Sequence, residues 1–126
     1  MITERGFQRS RTIGAYGGEF AEGRGYVWAE GIRQEIHRRA LDAHLRLAQL
    51  EEADGHDREA MDILVRAVEI GGCAEEPCRR LMILQARLGR TDAVASTWLN
   101  LQRRLAELEL DPEPATVTLY RRMAGQ

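Results

Sequence analysis

A spacing of 34 residues constrains this chain more than any other feature. Gly55, Ala60, Leu64 and Ala67 recur at the same intervals, 34 positions on, as Gly89, Val94, Trp98 and Leu101. Ahead of each glycine runs a matching set, His44, Leu47 and Ala48 in the first copy and Cys78, Leu81 and Met82 in the second. A glycine closing a helix can take the left-handed conformation that stops it. A small residue five positions later lets the next helix lie close, and a large residue one turn on fills the gap between the two. Each copy thus predicts two antiparallel helices joined by a short turn, and a period of this length belongs to stacked helical hairpins of the tetratricopeptide type. The match is loosest at Val94 and Leu101. A repeat of this kind specifies a scaffold and leaves open what the scaffold holds.

The 126 residues suffice for a single domain with its own core, and we take 1–126 as one. Hydrophobic residues at 44% and charged residues at 30% are ordinary for a globular protein. The net charge of −2 is evenly spread, with 9 Arg against 12 acids in residues 1–63 and 9 Arg against 8 acids in residues 64–126. That distribution lacks the basic footprint of a nucleic-acid-binding domain, so direct DNA binding by this chain is not expected. No apolar run approaches the roughly 18 residues of a membrane span, and the N-terminus lacks a signal-peptide core. A cytoplasmic protein without membrane contact is expected, though the chain could be cut from a longer one.

Along the chain, Ile2, Phe7, Ile13 and Tyr16 suggest a short helix, and the glycines from Gly17 to Gly25 suggest a loop reaching Tyr26. Residues 1–27 thus form an N-terminal helix and glycine-rich connector. That loop fits neither a dinucleotide fingerprint nor a P-loop, and its Glu19 and Glu22 would repel phosphate. Residues 28–70 form the first hairpin. Its long first helix, residues 27–53, carries Trp28, Ile32, Ile36, Ala40, Ala43, Leu47 and Leu50 as an apolar stripe, widened by Leu41, Leu45 and Ala48. The second helix covers residues 57–70, with Ala60, Ile63, Leu64, Ala67 and Val68 inward. Residues 75–108 form the second hairpin: Pro77 sits in the first turn of one helix, and Thr91 is the expected N-cap of the next. In that next helix Val94, Trp98, Leu101, Leu105 and Leu108 make the core stripe. Asp111-Pro112-Glu113-Pro114 forces an extended corner before a short helix over residues 115–123. No segment alternates with period two. The fold class is all-α, an array of antiparallel helical hairpins with about five to seven helices in a right-handed superhelical stack.

No catalytic constellation is present. There is no Gly-x-Ser-x-Gly elbow and no His-Glu-x-x-His, and the carboxylates sit on helix faces near arginines. Cys73 and Cys78 are five apart across a helix start, poor geometry for a disulfide. With His37, His44 and His56 they do not complete a zinc site. We therefore expect no catalytic, cofactor or metal residues, and the chain reads as a non-enzyme.

Several segments, in this order and spacing, carry a more specific likeness: Tyr16-Gly17-Gly18-Glu19-Phe20, Trp28-Ala29-Glu30 with Arg33, and Leu45-Arg46-Leu47-Ala48. Further on come Glu75, Arg80-Leu81-Met82 before Gly89-Arg90, and Arg104-Leu105-Ala106-Glu107. The last are Asp111-Pro112-Glu113-Pro114-Ala115-Thr116 and Leu119-Tyr120. Together they resemble the bacterial transcriptional activator domain, the tetratricopeptide-like module of the Streptomyces antibiotic regulatory protein family, over residues 12–123. Three departures are structural: Gly71-Gly72 in place of the family's usual Asp-Pro, Leu108-Glu109 in place of Leu-Gly, and Trp98 in place of Tyr. Family members carry a winged-helix DNA-binding domain ahead of this module. These residues do not include one, so no residue here inherits a DNA-reading role.

The resemblance implies a protein–protein interaction or oligomerisation module of a bacterial transcription regulator, whose partner is a second copy, transcription machinery or another domain of the parent protein. The alternative is a tetratricopeptide-like adaptor of a larger signalling or membrane-anchored protein that does not act in transcription. Likeness to tetratricopeptide arrays further implies that the first helix of each hairpin lines the partner groove. The groove positions are then Asp42, Leu45, Gln49 and Glu52, followed by Glu76, Arg79, Ile83, Ala86 and Arg87. Ile83 is the informative one, an apolar residue bracketed by Arg79 and Arg87 on a helix whose core needs are met by Cys78, Leu81, Met82 and Leu88.

Overall fold

A computed structural model describes residues 18–125 of the chain. Five helices account for most of them: α1 (Gly18–Ala53), α2 (Asp57–Gly71), α3 (Glu75–Arg87), α4 (Thr91–Glu107) and α5 (Pro114–Ala124). Among the described residues there is no strand. The short helix expected before Tyr16 lies outside them. The connector expected up to Tyr26 is corrected from Gly18 onward, because α1 begins there and runs unbroken to Ala53. Each glycine costs a helix about 1 kcal/mol relative to alanine but does not forbid it, and no proline interrupts the stretch.

The repeat shows itself first at the helix ends. Gly55 and Gly89 both adopt positive φ, 81° and 78°. At the first stop the His56 N–H donates to Glu51 O at 2.8 Å and the Gly55 N–H to Glu52 O at 3.0 Å. Thirty-four residues later the Arg90 N–H donates to Gln85 O at 2.8 Å and the Gly89 N–H to Ala86 O at 3.0 Å. This is the Schellman arrangement, which satisfies the last carbonyls of a helix. A third stop of the same form ends α4, where the Leu110 N–H reaches Leu105 O and the left-handed position is held by Glu109 at φ 57°.

The tight turns have a second consequence. Arg90 completes one helix stop and is already the N-cap of α4, so Thr91, expected as the cap, is the first helical residue and makes no capping bond. α2 begins in the same way after His56. Its end is set by Gly72 at φ 62°, and Gly71 sits so close to α3 that an added Cβ would lie 3.1 Å from Ala74 Cβ and 3.3 Å from Pro77 Cγ. The double glycine thus brings the start of α3 tightly against the end of α2.

The chain divides after Ile36 into two compact units. The described part of the first is the leading half of α1, where Glu30 pairs with Arg33 and accepts from Gln34. Val27, Trp28, Ile32 and Ile36 are exposed there. The second unit is organised on α3, which packs against α2, α4 and α5. On one side Leu81 and Leu84 join Leu45 and Ala48 of α1 and Ala60, Leu64 and Ala67 of α2. Cys78 meets Leu101 and Leu105 of α4. Met82 joins Val94 and Trp98, closed over by Val117, Leu119, Tyr120 and Met123 of α5. Trp98 is 8% exposed and stacks on Tyr120 with ring centroids 4.6 Å apart and planes within 8°.

Three readings of the core are corrected. On α1 the stripe of Trp28, Ile32, Ile36, Leu47 and Leu50 is exposed, while the residues thought to widen it, Leu45 and Ala48, are the buried ones. A helix with two adjacent apolar rows does not say which row its neighbours cover. Leu88 and Leu108 are also exposed. Each is the C-cap of its helix, where the chain turns away from the core.

Candidate partner-binding face

The side of α3 away from its core contacts carries Ile83, which is 45% exposed. Core residues Leu81 and Gln85 lie two positions either side, about 200° round the helix, so Ile83 points away as they point in. With Gln49 and Glu52 of α1 and Arg80 of α3 it lines a surface depression of ≈ 320 Å³. Ion pairs that tie α1 and α2 to α3 surround this apolar spot. Arg87 donates from Nη1 to Glu52 Oε1 at 3.4 Å and from Nη2 to Asp57 Oδ1 at 3.0 Å. Arg80 donates from Nη1 to Leu45 O at 3.3 Å and from Nη2 to Glu76 Oε2 at 3.0 Å. Such exposed pairs contribute about 0–1 kcal/mol each, so they open at little cost.

The structure sorts the groove positions. Gln49, Glu52, Glu76, Ile83 and Arg87 share this face, and Asp42 is exposed further back on α1. Leu45 is a correction: it is 6% exposed and belongs to the core. Ala86 is partly buried against the Met82, Val94 and Trp98 cluster. Arg79 turns to the corner instead, donating to Glu113 Oε1 at 2.9 Å and to Thr116 Oγ1 at 2.7 Å. Beside it the Glu75 carboxylate accepts the Glu113 N–H at 3.0 and 3.2 Å. The two-proline corner is thereby clamped to the first turns of α3, which explains why Glu75, Glu113 and Thr116 occur together. Arg80 was missed by sequence reasoning, although its i,i+4 spacing from Glu76 was a signal for it.

Neither cysteine is paired, and Cys78 is buried. Burial pushes the Cys78 thiol up to about 11, so it is neutral and unreactive at ordinary pH. Glu51, Asp54 and His56 bring ligand atoms within 4.8 Å of one another at the α1–α2 turn. His56 Nδ1 lies 2.9 Å from Glu51 Oε1, and this hydrogen bond raises the His56 pKa above its ordinary value. Two of its three members are thus held in an exposed ion pair.

Fold and surface define the chain first as a tetratricopeptide-like array of helical hairpins, with no helix among the described residues long and apolar enough to cross a membrane. A family model for the bacterial transcriptional activator domain matches residues 5–123, and the chain belongs to that family. No curated protein and no solved structure matches it. The family is a regulatory one, and this is a domain of the transcription-activator type.

Proposed function

We propose that the chain is a non-enzymatic protein–protein interaction module of a bacterial transcription regulator, and that it engages its partner through the α1–α3 face centred on Ile83. The observation behind this reading is the exposed Ile83, set in a depression and rimmed by exchangeable ion pairs of Glu52, Glu76, Arg80 and Arg87. An apolar anchor inside a polar rim is the usual form of a binding hot spot. The even charge, and the lack of a groove-reading element among the described residues, argue against direct DNA contact.

Ile83→Glu tests the assignment. Because the side chain is nearly half exposed, the substitution should change stability by no more than about 1 kcal/mol. It should also weaken self-association, or capture of purified RNA polymerase or a sigma factor, by at least tenfold. Sedimentation and pull-down with the folded variant provide the readout. Undiminished binding removes Ile83 from the interface. Absence of both self-association and polymerase capture in the unmodified chain favours the adaptor reading.

A further inference from the structure

On the opposite side of α3 lies a second cleft, bounded by α2 and α4, with a volume of ≈ 380 Å³. Val68, Leu81 and Leu101 make its floor apolar, together with the neutral thiol of Cys78. Its two ends are polar. At one end stands Gln85, only 6% exposed, whose Oε1 accepts from Thr97 Oγ1 at 3.0 Å. Among the described residues no group accepts from its Nε2. Turning the amide round would only exchange an orphan donor for an orphan acceptor. At the other end Arg104 donates from Nη1 to Val68 O at 3.3 Å and Gly72 O at 3.0 Å. Its Nη2 donates to no described residue. Arg104 follows Thr97 by seven residues on α4, a rise of about 10 Å along that helix from one end of the cleft to the other.

A buried carboxamide with half its hydrogen-bonding capacity unmet is costly in a helical core. The repeat does not demand it, because the equivalent positions of the first hairpin, 34 residues earlier, are the partly exposed Glu51 and the apolar Ile63. The cleft is of ligand-binding size, apolar in the middle, with a donor at one end and a cation at the other. Glu69 and Asn100 line it as well, but both are exposed and so sit at its rim.

We propose that this cleft binds an elongated small-molecule carboxylate with an apolar body, the carboxylate on Arg104 and a second hydrogen-bond acceptor on Gln85 Nε2. An extended aliphatic chain of about eight carbons is about 9 Å long by ordinary C–C bond lengths, close to that rise along α4. Such a ligand would bridge α2 and α4, the second helices of the two hairpins.

The probe is 8-hydroxyoctanoate, titrated into the isotopically labelled full chain with octanoate as the comparison. The expected result is saturable shifts of the Gln85 side-chain amide and of Leu81, Thr97 and Leu101, with none at Ile83. The hydroxylated acid should bind at least about fivefold more tightly than octanoate, and Gln85→Leu should erase that difference. Val65 and Ser96 are exposed at the cleft edge, so Val65→Trp and Ser96→Trp should block binding while circular dichroism confirms the fold. No saturation by about 10 mM, weak even for a ligand this small, overturns the proposal. So do equal affinities for the two acids, or shifts that survive in either folded tryptophan variant. The cleft faces away from Ile83, so this test and that of the docking face fail independently.

Discussion

In the first hairpin the helix-contact positions hold Ala60, Leu64 and Ala67, all fully buried, while the second hairpin holds Val94, Trp98 and Leu101 at the same register. The backbone stops ahead of them are alike, down to the two hydrogen bonds at each glycine. Size is what changes. Small residues let α2 seat directly on its neighbours, and nothing further is needed to cover them. The larger residues of α4 stand out from their helix and require a lid, which α5 provides by stacking Tyr120 on Trp98. In a stacked array the outer face of a hairpin is buried by the next one. Here a bulkier set of side chains and a short clamped helix take that role.

The largest expected effect tests the lid. Trp98→Ala should destabilise the domain by about 3–5 kcal/mol in urea unfolding and speed amide exchange in α5, whereas Leu64→Ala should leave α5 exchange tied to global unfolding alone. Equal α5 exchange in the two variants would break the contrast between the hairpins.

The helix stops sharpen it further. Gly89→Ala should cost about 1–2 kcal/mol, because an L side chain is placed in the left-handed region. Glu109→Gly should do the reverse and add about 1 kcal/mol by relieving the same strain at φ 57°. Thermal melts of both variants give the comparison, and a Glu109→Gly protein no more stable than the parent would show the strain to be absent.

The smallest effect lies at the first stop, where Glu51 and His56 pair in positions that Gln85 and Arg90 occupy in the second. Glu51→Gln should return the His56 pKa toward its ordinary value in an NMR titration. The sign follows from the raised pKa. The pair's stabilisation is present below the ordinary histidine value near 6.5 and is lost as pH rises through the higher folded value. A pKa unmoved by the substitution would assign the shift to other charges.

What could be read in advance divides along physical lines. Helix ends marked by Gly55 and Gly89 were legible because only glycine takes that conformation cheaply. Trp98 was legible as core because its register was copied from Leu64. The glycines from Gly18 to Gly25 misled, since low helix propensity is not a prohibition. Leu47 and Leu50 misled because burial depends on which neighbours arrive. The shared face of Gln49 and Ile83 followed from the repeat. The roles of Arg79 and Gln85 did not, since they depend on Glu113, Thr116 and Thr97, which lie far along the chain.

The matched stops at Gly55 and Gly89 have one more consequence. Residues 56–89 begin and end in the same backbone state, with the chain leaving a left-handed glycine and entering a helix without a separate cap. Such a segment is a cassette whose two seams are interchangeable. Spliced in again after Gly89, a second copy would meet the local geometry it was built for at both ends. Tandem duplication of residues 56–89 would therefore extend the array by a whole hairpin without creating a new kind of seam.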